Sequence, residues 1–382
     1  MPEAALQPND PVARTPLLRI LINGVAASGA IDAEVIANSH YAADRFAVTF
    51  AAGADPLFGT AAFASASTLL VDVQMGLAPA GLPAIVGTWR SMVVGQADSV
   101  EIDPVQGAVR LEGRDLTAAL IEARTQETFA NRTASEIATL LAQRHGLIPA
   151  VSPTTTPVGR YYQLEHDRIT LNQFSRATTE WDLLVFLAEQ EGFDVFVRGT
   201  TLHFQPPAPA APPAAILRFR PTPDGPANLI DLRMERHLTL ARDIEVTVKS
   251  WNARQNKAFT QTARATKGDG GISMQPRRYV FVRPNLTLNE ALQYAQHKLA
   301  ELSRHERVIL ATMPGELSIT PRGTVRLAGS GTAFDQVYYV DEVARRISMQ
   351  SGFIQTVRAK NETPLGQATP PADLPLATVP LH

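Results

Sequence analysis

Apolar and polar positions alternate with period two in several short stretches, the pattern of strands with one buried and one wet face. Leu18, Ile20 and Ile22 step this way, as do Phe46, Val48 and Phe50, then Val109 and Leu111. The turn residues Asp103 to Gly107 separate two of these strands and predict a hairpin. The clearest alternation runs from Asp243 to Lys249, with Ile244, Val246 and Val248 on one face. Further strands are predicted at Glu316–Ile319, Thr324–Leu327, Gln336–Val343 and Phe353–Arg358, the first three parted by turns at Pro314-Gly315, Pro321 to Gly323 and Gly329 to Gly331.

Helical spacing occurs in three places. Thr133 and Glu136 form a capping box, in which the threonine oxygen accepts the N–H three residues on and the glutamate reaches back. Ile137, Leu140 and Leu141 then share a face, and Gly146 supplies a left-handed stop. A second helix spans Thr179 to Glu191, buries Trp181, Leu184, Leu187 and Ala188, and ends at Gly192. A hairpin follows, with strands at Asp194–Val197 and Thr201–Phe204 around Arg198, Gly199 and Thr200. A third helix opens on the capping box Thr287 to Glu290 and carries the stripe Leu288, Leu292, Ala295, Leu299 and Leu302.

Punctuation divides the chain. Three prolines mark 1–16 as an extended arm, and 152–157 break the chain again. The run 206–215 is too proline-rich to complete a ladder, because proline has no N–H, and reads as a stiff polyproline II linker. Residues 361–382 read as a proline-rich tail. The organisation expected is therefore a first β domain over 17–115, an inserted α/β domain over 116–205, and a second β domain with one long helix over 216–360. No internal sequence repeat relates the two strand blocks.

A chain of 382 residues has room for two or three domains. Hydrophobic residues at 45% and charged residues at 19% suit packed soluble cores. The net charge of −2 supplies no footprint for gripping a polyanion. There is no cysteine, hence no disulfide, thiolate metal site or cysteine nucleophile. The N-terminus lacks the basic start and apolar run of a signal peptide, and no stretch reaches membrane-spanning length.

Catalytic signatures are not found. There is no phosphate-cradling loop, no nucleophile elbow and no paired-histidine zinc helix, since Ile309 stands where His305-Glu306 would need its second histidine. His297 and His305 read as solvated, Lys267 to Gly271 as a mobile loop, and Glu180 and Asp182 as helix-start carboxylates. Trp181 and Trp251 read as core; the pairs Arg277-Arg278 and Arg345-Arg346 read as solvated charge. The expectation is a non-enzyme with no catalytic, cofactor-binding or metal-binding residues.

Four segments in order resemble the phage late control protein D family, the contractile-tail baseplate hubs that also form the N-terminal part of VgrG proteins of type VI secretion. They are Gly113–Leu120 with Thr128–Ala138, then Thr179–Phe196 with Leu202 and Phe204, then Leu240–Trp251, and last Pro314–Gly329 with Tyr339, Val340, Ser348, Gly352 and Phe353. The resemblance covers about 17–360. It implies an α+β, mainly β chain: two tail-tube-like β-barrel domains with an inserted small α/β domain. It further implies a homotrimeric ring fitting a six-fold tail tube to a three-fold spike. The partners implied are a central spike protein, the tail tube or its initiator, and other baseplate proteins, with DNA passing through the lumen unbound. The location implied is the virion tail, assembled in the host cytoplasm without membrane insertion. No β-helical needle or lysozyme pattern follows residue 360, which points to a separate spike. The rival readings are a cell-wall carbohydrate-binding protein using 116–205 and a peptidoglycan hydrolase.

Overall fold

The computed structural model describes residues 14–80, 87–124, 128–130, 132–155, 158, 168–170, 179–208, 211–223, 225–238, 244–252, 257–265, 277–283, 286 and 288–361. The fold is mainly β. The first block holds β1 (Arg14–Ile22), β2 (Val25–Ala27), β3 (Ala30–Asn38), β4 (Arg45–Ala51), α1 (Thr60–Ser65), β5 (Leu70–Pro79), β6 (Thr88–Asp103) and β7 (Ala108–Asp115). The middle block holds α2 (Thr117–Glu122), β8 (Thr128–Ala130), α3 (Ala134–Arg144), β9 (Ile148–Val151), β10 (Arg168–Thr170), α4 (Glu180–Glu191), β11 (Asp194–Arg198) and β12 (Thr201–Gln205). The last block holds β13 (Ala215–Arg218), β14 (Asp231–Arg236), β15 (Ile244–Asn252), β16 (Lys257–Ala265), β17 (Arg277–Val282), α5 (Leu288–Arg304), β18 (Arg307–Pro314), β19 (Thr324–Ala328), β20 (Val337–Ser348) and β21 (Gly352–Asn361).

One sheet of 13 strands unites the first and last blocks, in the order β14-β18-β21-β20-β3-β4-β7-β6-β5-β1-β2, with β13 and β19 branching from β20. The joint is the antiparallel pair β20–β3, which sets Glu342 beside Asn38 and Ser348 beside Asp32. Two apolar cores lie against this sheet. Ile20, Val35, Phe46, Val48, Val73 and Leu111 belong to the first. Leu217, Ile309, Val325, Leu327 and Tyr338 belong to the second. The β20–β21 hairpin serves both: Ile347 and Phe353 enter the first core, while Val340, Val343, Val357 and Ala359 enter the second. Leu317 and Ile319, on the loop after β18, divide in the same way.

The middle block is a separate α/β layer. Strands β11, β12 and β9 form its sheet, and α3 and α4 supply Ile137, Leu141, Trp181, Leu184 and Leu187 to its core. Both helices begin with complete capping boxes, at Thr133 with Glu136 and at Thr179 with Asp182. Gly192 ends α4 at φ 68°, a left-handed conformation that costs glycine nothing.

Three expectations need correction. The strand predicted at Glu316–Ile319 is a loop; the strand in this region is β18, immediately before it. Leu317 and Ile319 alternate with polar residues because the loop straddles two cores, not because it pairs. The third helix and the strand starting at Ile244 do not join the second core. Instead β16, β15 and β17 form their own sheet, and Ala291 and Ala295 of α5 pack on Ile244, Val246 and Val248. The linker and arm are shorter than expected: Ala215 already pairs with Val325, and Arg14 to Pro16 already lie on β1. The capping residue Thr287 and the tail beyond residue 361 lie outside the described residues.

Candidate assembly surface

The shared sheet has a face turned away from both cores, and that face carries charge of both signs. Strand alternation places Asp32 and Glu34 of β3, Arg110 and Glu112 of β7, and Glu342 and Arg346 of β20 there. Four of these charges pair, Arg346 with Asp32 at 2.9 Å and Arg110 with Glu112 at 2.7 Å, and nearby Arg114 pairs with Asp98 at 2.7 Å. Exposed pairs of this kind contribute about 0–1 kcal/mol each to stability. Their larger effect is to cancel one another's field, leaving a charged face with little net potential.

The same sheet has open backbone edges. β14 pairs with β18 on one side, and among the described residues its other side has no partner strand. β6 is divided: Thr88 to Gln96 pair with β5, whereas Gly95 to Asp103 pair with β7. The segment Asp98–Asp103 therefore also presents one unpaired side among the described residues. Open edges of this type template further strand addition.

Buried polar groups hold the modules together. Asp341 receives the Ser39 hydroxyl at 2.8 Å and the Lys360 ammonium at 2.8 Å. Burial pushes its carboxyl up, but Lys360 and Ser39 outweigh that and hold it below the usual range. The inserted layer docks on the strand blocks through the Trp181 indole, which donates to the Tyr41 carbonyl at 2.9 Å, and through Arg322, which lies 4.1 Å over the Phe196 ring.

At the base of that layer sit two carboxyls. Burial, reinforced by the nearby Asp44 charge, pushes Asp115 up to about 7. Burial also pushes Asp44 up to about 6, against the amide of Asn38 and the charge of Arg322. Both folded values exceed the unfolded value of 3.8, so the folded chain holds more protons between those limits. The stability from these groups is full below about pH 4 and is lost as pH rises through their folded values. Asp115→Asn keeps an acceptor for the Thr117 amide, which now bonds Asp115 at 3.1 Å. It should raise the melting temperature at about pH 8 and change it little at about pH 5, where the wild-type carboxyl is already neutral. Equal shifts at both pH values in scanning calorimetry would remove the assignment.

The residues singled out in the sequence fall in scattered places. Asp182 caps α4, as a helix-start carboxylate does. Glu180 does more than sit at a helix start: it is buried and accepts from Arg144 and His145 at 2.6 Å each. Arg346 is a surface charge, but Arg345 is 2% exposed, a correction to the solvated reading of that pair. Arg277 and Arg278 are exposed, with Arg278 reaching Glu245 at 3.3 Å. His297 is exposed and His305 half-buried, and desolvation lowers both toward the neutral form. The segment Lys267 to Gly271 and the side chain of Trp251 lie outside the described residues. Among the described residues no cluster of three or more histidines and carboxylates is placed to hold a metal ion. A cleft of about 560 Å³ lies between the β3–β4 turn and α4, lined by His40, Tyr41, Arg114, Trp181 and Asp182. Trp181 is only 4% exposed with its N–H engaged, so its ring offers no sugar-stacking platform. No described helix is long and apolar enough to cross a membrane.

Residues 88–349, more than half of the chain, match the family described as the Alg8 N-terminal domain. The chain belongs to that family. No curated protein matches it. Among solved structures it is similar to a tail protein from Neisseria meningitidis MC58, with TM-score 0.65, 16% identity, and coverage of 91% of this chain and 97% of that one. It is also similar to the 43 kDa tail protein of prophage MuSo2 from Shewanella oneidensis, with TM-score 0.64, 14% identity, and coverage of 91% and 98%. A chain of the Francisella PdpA–VgrG complex matches with TM-score 0.53 and 10% identity, covering 91% of this chain and 58% of that one. At these identities the likeness is one of fold: this member of the family has the architecture of tail proteins.

Proposed function

We propose that the chain is a structural baseplate hub of a contractile phage tail or related injection system, of the late control protein D type. Three copies form a ring. Each contributes two β modules, built within 17–115 and 216–360, so the ring offers six near-equivalent seats to the tail tube and three to a spike. The 116–205 layer decorates the outside. The observation that carries this reading is the single 13-stranded sheet holding two separate cores within one chain. The tail-protein fold supports it, as does the charge-balanced face, which suits a bore through which DNA or cargo slides without arrest. The partners are a central spike, the tail tube or its initiator, and neighbouring baseplate proteins. The work is mechanical, with no catalytic step, and its place is the virion.

The test is particle mass by mass photometry and light scattering, for the chain alone over a range of concentrations and after mixing with the spike protein encoded beside it. The expected species is a trimer, alone or on the spike. A monomer at every concentration that also ignores the spike overturns the proposal.

A further inference from the structure

We infer that copies of this chain join by one specific strand pair: the open edge of β14 in one copy hydrogen-bonds to the open Asp98–Asp103 edge of β6 in the next. The inference rests on the ring reading above and specifies its seam.

Four observations lead to it. Each edge is six residues long and lacks a partner strand on one side among the described residues. Both edges belong to the same sheet, at the two ends of the path β14-β18-β21-β20-β3-β4-β7-β6. Every neighbouring pair on that path is antiparallel. The path has an even number of strands, so β6 runs opposite to β14. A second copy added with its polar face on the same side therefore brings its β14 antiparallel to β6, and the ladder continues without a change of sense.

Side chains select the register. With Arg233 opposite Glu101, both on the polar face, Met234 falls opposite Val100 and Leu232 opposite Ile102 on the core side. Arg233 and Glu101 are both exposed, Val100 and Ile102 already pack on the first core, and Leu232 packs on the second. The seam thus gains an ion pair over two apolar pairs, the cross-strand unit that stabilises a sheet. Asp231 then meets Asp103, whose carboxylate is engaged by the Val105 and Gln106 amides at 2.9 Å. A slip of two residues one way sets Glu235 against Glu101; the other way sets Asp231 against Glu101. A slip of one turns the apolar residues to the wet face. At about 4.8 Å per strand, three such eight-strand walls enclose a bore roughly 37 Å across between opposing backbones.

The absence of cysteine makes the test clean. The double variant Glu101→Cys/Arg233→Cys, held in a glutathione redox buffer, should give a covalent trimer on non-reducing gels, since directly opposed strand positions fall within disulfide reach. Each single variant and the slipped pair Glu101→Cys/Glu235→Cys should give at most about a tenth of that yield. Independently, Glu101→Arg should weaken trimer formation about tenfold or more, and Arg233→Glu added to it should restore the trimer. A native trimer in which the first pair does not cross-link and the charge swap has no effect overturns this seam while leaving the ring intact. A chain that is monomeric at every concentration overturns both.

Discussion

Gly113→Ala should cost about 3 kcal/mol or more and send most of the expressed chain into the insoluble fraction. Gly113 lies on β7, opposite Phe46 of β4 and Ala97 of β6. A Cβ built there falls 2.2 Å from the carbonyl oxygen of Gln96, 2.6 Å from the tip of the Phe46 ring and 2.8 Å from the Ala97 Cα. Two of the three neighbours are backbone of a strand that bulges between Ala97 and Ser99, and the third is a ring that is 3% exposed. Neither the strand nor the ring can retreat without opening the first core, so the methyl group has no relief. Circular dichroism melts of whatever remains soluble, beside Gly107→Ala in the adjoining turn, read the effect. Gly107, with φ 64° and open space around its Cβ, should lose only about 1 kcal/mol from backbone strain. Similar losses at the two sites would refute the packing argument.

Arg345→Ala should be comparably damaging, at about 3–5 kcal/mol. Arg345 sits on β20 between Val343, in the second core, and Ile347, in the first. Its guanidinium donates to the carbonyl of Glu316 at 3.3 Å and to that of Ile319. Those carbonyls belong to the loop whose Leu317 and Ile319 plug the two cores. Burial lowers the Arg345 pKa to about 10, with Arg90 adding repulsion and Glu316 resisting. The side chain remains a cation at neutral pH. Truncation would leave two buried carbonyls without a donor, a cavity, and Glu316 with Arg14 as its remaining counter-charge. The urea midpoint should fall, and proteolysis should begin between Gly315 and Gly323. Arg345→Lys should recover part of the stability, because one donor still reaches. If alanine and lysine behave alike, the hydrogen bonds to the loop are not what stabilises it.

What the sequence made legible was local. A capping box and a glycine stop are confined to a few consecutive residues, so α3 and α4 and the hairpin turning at Gly199 could be read directly. The strands β4, β7 and β15 alternate cleanly because each has one wet face. β18 is hidden in the sequence because Leu310 stands on its outward face, so the burial alternation from Ile309 to Met313 does not show as apolar against polar. Arg345 was misread because a basic pair looks the same whether one member points to water or into a core. Least legible was the joint between the blocks. The Ser39–Asp341 contact spans 302 residues, and nothing in either segment announces the other. The candidate surface depends on that joint, since the polar face is continuous only once β20 meets β3.

The hairpin of β20 and β21 is common to both cores, and its ladder to β3 is unbroken from Asp32 to Asn38. That continuous ladder leaves no hinge between the two halves among the described residues. Tension along the strands loads those N–H···O contacts in shear, so they resist together instead of unzipping singly. Each chain should therefore behave as a stiff stave, and any widening or twisting of an assembly made from such staves must be taken up where one meets the next.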